Sequence, residues 1–437
     1  MRGQYKALQG FKDILPEEQA YWRLLEQTIM AVTQTYGYRR IDTPTLEETA
    51  VYRRTSGEGS DVVEKEMYSF DDRADKEGNR TNLTLRPEGT AGVVRAYLEH
   101  GLFRLPQPVK LYYVRVPMFR HDKPQAGRYR EHHQFGCEAL GEHDPAVDAE
   151  MIGLLYQVYS QLGLKDIRAY INSIGDQNCR PQYIEILKDY YRPLLAECCQ
   201  DCKIRFDKNP LRLLDCKEPQ DQEKIAAAPK IVDYLCEPCR EHFAAVQRFL
   251  AFYEVPWTLN PLLVRGLDYY TRTVFEFTSG VDKTALGGGG RYDGLAEILG
   301  GEPTPGIGFG AGMERIILEL KRQHIAPPAE ERPRAFVAYL GKTAELKDAA
   351  VQVVAELRHA GIKTEMSYGD RSPKAQMKQA NASGAAYAVI IGEQELAGGF
   401  VSVKDLQAAG MESEKKQVEV QRDVLVAYLA GPALHFL

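Results

Sequence analysis

Arg265-Gly266-Leu267-Asp268-Tyr269-Tyr270-Thr271-Arg272-Thr273-Val274-Phe275-Glu276-Phe277 begins with charged and phenolic side chains, then runs into an alternating pattern. Alternation of this kind predicts a strand with unequal faces. Polar groups gathered at a strand's mouth suit a ligand site on a rigid sheet. A tyrosine-rich sheet edge carrying a surface ion pair is the competing reading. The segments that accompany this one decide between them.

Gly306-Ile307-Gly308-Phe309-Gly310-Ala311-Gly312-Met313-Glu314-Arg315 places glycine at every second position. One face of that strand is bare backbone, which is tolerated where something packs closely. A helix follows at Glu314, so Arg315 lies in its first turn, where an anion is favoured. Resemblance to a dinucleotide fingerprint is slight, because no βαβ unit and no later acid support it. Met118-Phe119-Arg120-His121-Asp122 leaves an expected strand, Val109–Val116. It leads through a basic loop, Lys123–Arg130, into a return strand on which Gln134, Gly136 and Glu138 share a face. Arg120 suits bidentate contact with phosphate; a solvated hairpin is the plain alternative. Arg86-Pro87-Glu88-Gly89-Thr90 offers a carboxylate and a hydroxyl to an ammonium group, or else a helix cap. Leu286-Gly287-Gly288-Gly289-Gly290-Arg291-Tyr292-Asp293-Gly294 adds a second glycine surface beside a polar cluster. Together these segments fit an antiparallel sheet holding a nucleoside triphosphate and a small zwitterion.

The 437 residues provide for two or three domains. A hydrophobic content of 44% and a charged content of 27% belong to a soluble globular chain. No apolar run reaches the roughly 18 residues of a membrane span, and Met1–Tyr5 lacks a signal-peptide core. A cytoplasmic protein is therefore expected. A net charge of -6 excludes a generally basic coat but not a local nucleic-acid surface.

Cysteine is concentrated, with Cys198, Cys199, Cys202, Cys216, Cys236 and Cys239 close in sequence and Cys137 and Cys179 before them. Cys199-x-x-Cys202 and Cys236-x-x-Cys239 have the spacing of two zinc knuckles. Their four thiolates would close one structural Zn2+ site; reduced free thiols are the alternative.

A helix is expected from Pro16, with Trp22, Leu25, Ile29 and Val32 on one stripe, ending at Gly37. An extended segment, Tyr38–Leu46, follows, and Asp148–Leu162 reads as helix. From 177 to 256 the pattern is helical, charged and cysteine-rich, which predicts an insertion, with strand resuming at Leu262. Arg322–Pro333 reads as a linker. Beyond it, strands at Ala335–Leu340, Lys363–Tyr368, Ala386–Ile391 and Phe400–Asp405 alternate with helices at Ala344–His359, Ser372–Asn381 and Arg422–Leu429.

Over nearly its whole length the sequence resembles the class II aminoacyl-tRNA synthetases, and within them the histidyl-tRNA synthetases. Class motifs are the helix and extended segment ending near Pro44, the hairpin with Phe119-Arg120 and Glu138, and the glycine strand ending in Glu314-Arg315. Arg265-Gly266-Leu267-Asp268-Tyr269-Tyr270 and Gly289-Gly290-Arg291-Tyr292-Asp293-Gly294 are the histidine-specific signals. The resemblance implies an α+β protein, with a catalytic domain at 1–325 on an antiparallel sheet, an insertion at 177–256, and an anticodon-binding domain at 334–437. It implies ATP and Mg2+ as cofactors, tRNA and histidine as partners, and a homodimer. By position, Arg120 would hold the α-phosphate and Arg315 the γ-phosphate, with Gly310 against the nucleotide. Arg265 would reach both α-phosphate and substrate carboxylate. Glu88, Thr90 and Gln134 would receive the α-ammonium. Glu138 and Tyr270 would grip the imidazole, with Tyr269 beside them. Where the family often stacks phenylalanine on adenine, this chain has His132. Arg371, Lys374 and Lys378 lie at helical spacing and would meet RNA phosphates, with a solvated helix face as the alternative. The resemblance also admits a non-catalytic regulatory subunit of histidine biosynthesis, which typically loses active-site residues and the anticodon module; this chain retains both.

Overall fold

The computed structural model describes residues 5–57, 62–121, 123–124, 127–280, 284–329, 331–369, 371–407 and 417–431. Asp122 and part of the basic loop, Gln125 and Ala126, lie outside the described residues, as does Met1–Gln4. The chain divides into two units, Met1–Pro328 and Ala329–Leu437.

The first unit is built on an eight-stranded sheet. Across it run Arg39–Arg40, Val109–Phe119, Glu131–Leu140, Gly306–Gly312, Thr284–Arg291, Thr271–Ser279, Ile167–Ser173 and Trp257–Leu259. Only the outermost pairs are parallel; every inner pairing is antiparallel. The helix Gln19–Thr35 buries Trp22, Leu25, Ile29 and Val32, as their spacing predicts. The helix Pro145–Gln161 is buried along most of its length, and both helices share one core with Phe275, Phe277 and Phe309. Two elements depart from the sequence reading. Strand does not resume at Leu262: Trp257–Leu259 pairs first, residues 260–270 are irregular, and the long strand starts only at Thr271. A small sheet of Leu46–Glu48, Asn82–Leu85 and Tyr68–Asp71 was not expected; its strands are short and partly exposed, so their alternation is faint.

The second unit carries a five-stranded sheet in the order Thr364–Met366, Ala335–Tyr339, Tyr387–Ile391, Phe400–Asp405, Gln417–Gln421. Its first three strands are parallel and its last two antiparallel. The helix Glu393–Gly398 and strand Gln417–Gln421 add to the predicted elements. Among the described residues no helix is long and apolar enough to cross a membrane.

Candidate active site

The register of the first sheet explains its glycines. Tyr113, Gly136, Gly310, Gly288 and Glu276 stand directly opposite one another across five strands. Directly opposed residues share a face, so three strands in succession contribute no side chain there. The result is a furrow with a backbone floor. Within the glycine strand three of the missing side chains make room for neighbours. A Cβ on Gly308 would sit 1.7 Å from Glu138 Oε2, one on Gly306 2.3 Å from the Tyr292 ring, and one on Gly310 3.2 Å from Gln134 Oε1. One on Gly288 would meet Arg265 Nη1 at 2.9 Å.

At one end of this face lies a buried polar nest. Glu138 is fully buried, with its Oε1 accepting from the Thr90 hydroxyl at 2.8 Å and its Oε2 from Tyr292 at 2.5 Å. Burial pushes its carboxyl up to about 8, with nearby Glu88 adding to the rise against the downward pull of these hydrogen bonds. Glu88 accepts from the backbone N–H groups of Thr90 and Ala91 at 2.6 and 2.9 Å. It therefore caps the helix Thr90–Glu99 while standing in the nest; burial raises its carboxyl too. Tyr269 and Tyr270 are buried with ring centroids 4.7 Å apart, and Tyr292 stands edge-on to Tyr269.

The other end is an open cleft of about 270 Å³, lined by Arg120, His132, Gln134, Arg265, Gly310 and Arg315 among others. Of the four arginines that line it, with Arg128 the fourth, Arg120, Arg265 and Arg315 are anchored in part by backbone or acid. Arg120 Nε donates to Pro87 O at 2.9 Å. Arg315, in the first turn of Met313–Arg322, donates to Gly127 O at 3.0 Å and to Ala285 O at 2.8 Å. Arg265 Nη1 donates to Glu276 Oε2 at 2.9 Å, while its buried Nε has no partner among the described residues. Burial, reinforced by Arg120 and Arg315, pushes His132 down to about 3, so its ring is neutral at physiological pH. A neutral imidazole presents an uncharged aromatic face where cations already crowd.

Predicted site residues thus fall into two adjoining groups: Arg120, His132, Gln134, Arg265, Gly310 and Arg315 at the cleft, and Glu88, Thr90, Glu138, Tyr269 and Tyr270 in the nest. Tyr292 and Glu276, quoted in motifs without a role, and Tyr113 also belong here. Tyr113 is buried over Gly89 and Gly136, where a Cβ would meet its phenol at 2.5 and 2.4 Å. Asp268 accepts from Asn209 of the insertion at 2.5 Å, which ties the loop outward rather than into the cleft. Arg291 is fully buried on Asp148, which His242 also reaches at 3.0 Å. Burial alone would raise Asp148, but Arg291 and His242 outweigh it and hold it near 2. In the second unit Arg371 precedes the helix Pro373–Ser383, so only Lys374 and Lys378 share its exposed face.

The single four-thiolate site expected from Cys199, Cys202, Cys236 and Cys239 does not form. Cys199 and Cys202 converge with Cys216 and Asp221, whereas Cys236 and Cys239 converge with Cys179 and Asp176. Each pair starts a different helix, and each meets its own third cysteine, Cys216 from the chain between the pairs and Cys179 from before them.

Residues 10–316 match the family model described as Histidyl-tRNA synthetase, and residues 334–431 match one described as Anticodon binding domain. A histidine–tRNA ligase of Dehalococcoides mccartyi is 50% identical over 408 residues, covering 93% of this chain and 96% of that protein. One from Moorella thermoacetica is 50% identical over 405 residues, covering 92% and 94%. The crystal structure of the apo S. aureus histidyl-tRNA synthetase superposes with a TM-score of 0.79 at 38% identity, covering 98% of this chain and all of that one.

Proposed function

The chain belongs to the histidyl-tRNA synthetase family, and from that membership we propose that it joins histidine to its cognate tRNA by way of histidyl-adenylate. A carboxylate oxygen of histidine attacks the α-phosphorus of ATP, and the bond to the bridging oxygen breaks as pyrophosphate leaves. A terminal ribose hydroxyl of tRNA then attacks the carbonyl carbon of the adenylate, giving up its proton, and AMP leaves. The observation that carries this reading is the row Tyr113, Gly136, Gly310, Gly288, Glu276, a side-chain-free floor between a carboxylate nest and three arginines.

The first step needs no protein nucleophile, only alignment and positive charge where negative charge is crowded. Arg265 stands between nest and cleft and reaches the α-phosphate and the substrate carboxylate. Arg120 holds the α-phosphate and Arg315 the γ-phosphate. Adenine lies on His132, with Gly310 beneath the nucleotide. Glu88, Thr90 and Gln134 receive the α-ammonium group. Glu138 and Tyr270 read the imidazole, whose neutral form offers one donor and one acceptor. Tyr269 and Tyr292 hold those readers in place. Analogues that leave these buried groups unpaired are rejected. Glu276, one-third exposed at the cleft, supplies a carboxylate suited to Mg2+, which screens the triphosphate when bound. In the second unit Lys374 and Lys378 offer charge to RNA phosphates. A homodimer in the cytoplasm completes the proposal.

The regulatory-subunit reading is not favoured, since the arginines, the nest and the anticodon-type unit are all retained. Exchange of labelled pyrophosphate into ATP tests the proposal. Exchange that requires histidine is the expected result, and its absence with pure, folded protein would overturn it.

A further inference from the structure

Within the insertion, cysteines converge twice on one plan. In the first group Cys199 is the N-cap of the helix Gln200–Lys208 and Cys202 lies in its first turn; Cys216 and Asp221 come from the chain that follows. In the second, Cys236 is the N-cap of Glu237–Phe252, Cys239 lies in its first turn, and Cys179 and Asp176 come from before. In each group the ligand atoms all lie within 4.8 Å of one another.

Their separations suit a shared ion. Tetrahedral zinc with Zn–S near 2.3 Å sets its sulfurs about 3.8 Å apart, and a carboxylate oxygen slightly nearer. Cys199 Sγ and Cys216 Sγ are 3.7 Å apart, and Cys216 Sγ is 3.3 Å from Asp221 Oδ2. Asp176 Oδ1 is 3.8 Å from both Cys179 Sγ and Cys236 Sγ. A disulfide would need about 2.05 Å, and all eight cysteines are free.

Backbone donors are already aimed at two of the sulfurs. The Cys202 and Glu218 backbone N–H groups donate to the sulfurs of Cys199 and Cys216, each at 3.4 Å. Both Cys-x-x-Cys pairs also face the positive end of a helix. The independent sign is Asp221: it is 1% exposed, yet its Oδ1 has no hydrogen-bond partner among the described residues. A carboxylate oxygen buried without a partner is costly unless a cation completes its environment. In the second group Asp176 Oδ2 is held by Arg272 at 3.1 Å, an outer contact that orients a ligating carboxylate.

We propose that the insertion binds two zinc ions, one in each Cys3Asp group. Three thiolates and a carboxylate close the tetrahedron, so these are structural sites with no open position. Both brace the segment that opens the candidate active site. Asn209 and Arg212, between Cys202 and Cys216 in the chain, donate to Asp268 at 2.5 Å and to Gly266 O at 3.3 Å. Arg180, next to Cys179, donates to Tyr270 O at 2.8 Å.

The test is elemental analysis of the full chain, expressed with added zinc and kept reduced, followed by reconstitution of the metal-stripped protein with Co2+. Two zinc per chain are expected, with one retained in Cys216→Ser, one in Cys239→Ser and none in the double variant. Cobalt should give tetrahedral ligand-field bands and thiolate charge transfer that saturate at two equivalents. Because a variant can fail to fold, the wild-type count and cobalt spectrum decide independently. Fewer than two equivalents, an octahedral spectrum, or wild-type cysteines found as disulfides would overturn the proposal.

Discussion

Two rows of residues, one in each unit, solve opposite problems. In the first sheet the row is Tyr113, Gly136, Gly310, Gly288, Glu276. In the second it is Met366, Val337, Val389, Val403, Val418. The valine row fills the space between sheet and helices, and its central three members are buried in the unit's core. The glycine row leaves that space open for polar side chains. Packing secures one sheet, while the other forgoes packing over its middle strands and relies on the aromatic core beneath. A methyl group should therefore be ruinous where it is added to the bare face of the first sheet and missed where it is removed from the second row.

The largest effect is expected at the charge the open row exists to admit. Arg265→Ala should slow histidine-dependent pyrophosphate exchange by about 10²–10³-fold, the scale for losing one preorganised electrostatic group. Histidine binding measured by calorimetry should weaken far less; equal losses would mean Arg265 serves binding alone. Gly308→Ala comes next. Its methyl would overlap Glu138 Oε2, and displacement on that scale costs about 10²-fold in exchange. Unchanged exchange would show that the bare face is dispensable. Val389→Ala should leave exchange intact while destabilising the second unit by about 2 kcal/mol, read as a shifted denaturant midpoint. Loss of exchange instead would break the division of labour drawn here.

The smallest effect concerns protons. With its carboxyl at about 8, Glu138 gains its acceptor-only form as pH rises from 7 to 9, so KM for histidine should fall severalfold over that window. Glu138→Gln should raise KM and flatten that limb; a limb that survives in the variant assigns it to another group. The sign for stability is opposite. A raised native value contributes stability that is full below the ordinary glutamate range and lost as pH climbs through about 8.

Much of this was legible in the chain, because it lies in local periods. Glycine at every second position announced a bare face, and Gln134, Gly136 and Glu138 were rightly placed on one side of their strand. Segments at 335–391 alternate cleanly because helices make the crossovers between their parallel strands. What stayed hidden depends on partners far away in sequence. Nothing near Tyr113 shows that Gly89 and Gly136 yield to its ring, and nothing near Asp148 shows that Arg291 lies on it. Cysteine spacing identified two chelating pairs but not which third thiol each would meet. The irregular run after Leu262 also escaped, since its apolar residues pack against the insertion rather than along a sheet.

The pairing of Glu131–Leu140 with Gly306–Gly312 has a temporal consequence. Halves of one furrow are made far apart during synthesis, and closing so long a loop is entropically expensive and slow. A ribosome that has released the hairpin has made the nest's carboxylates but none of their glycine counterparts. No truncated product ending before Gly306 contains the whole floor. Competence therefore arrives late and all at once, so an interrupted chain has no half-built site with which to consume ATP.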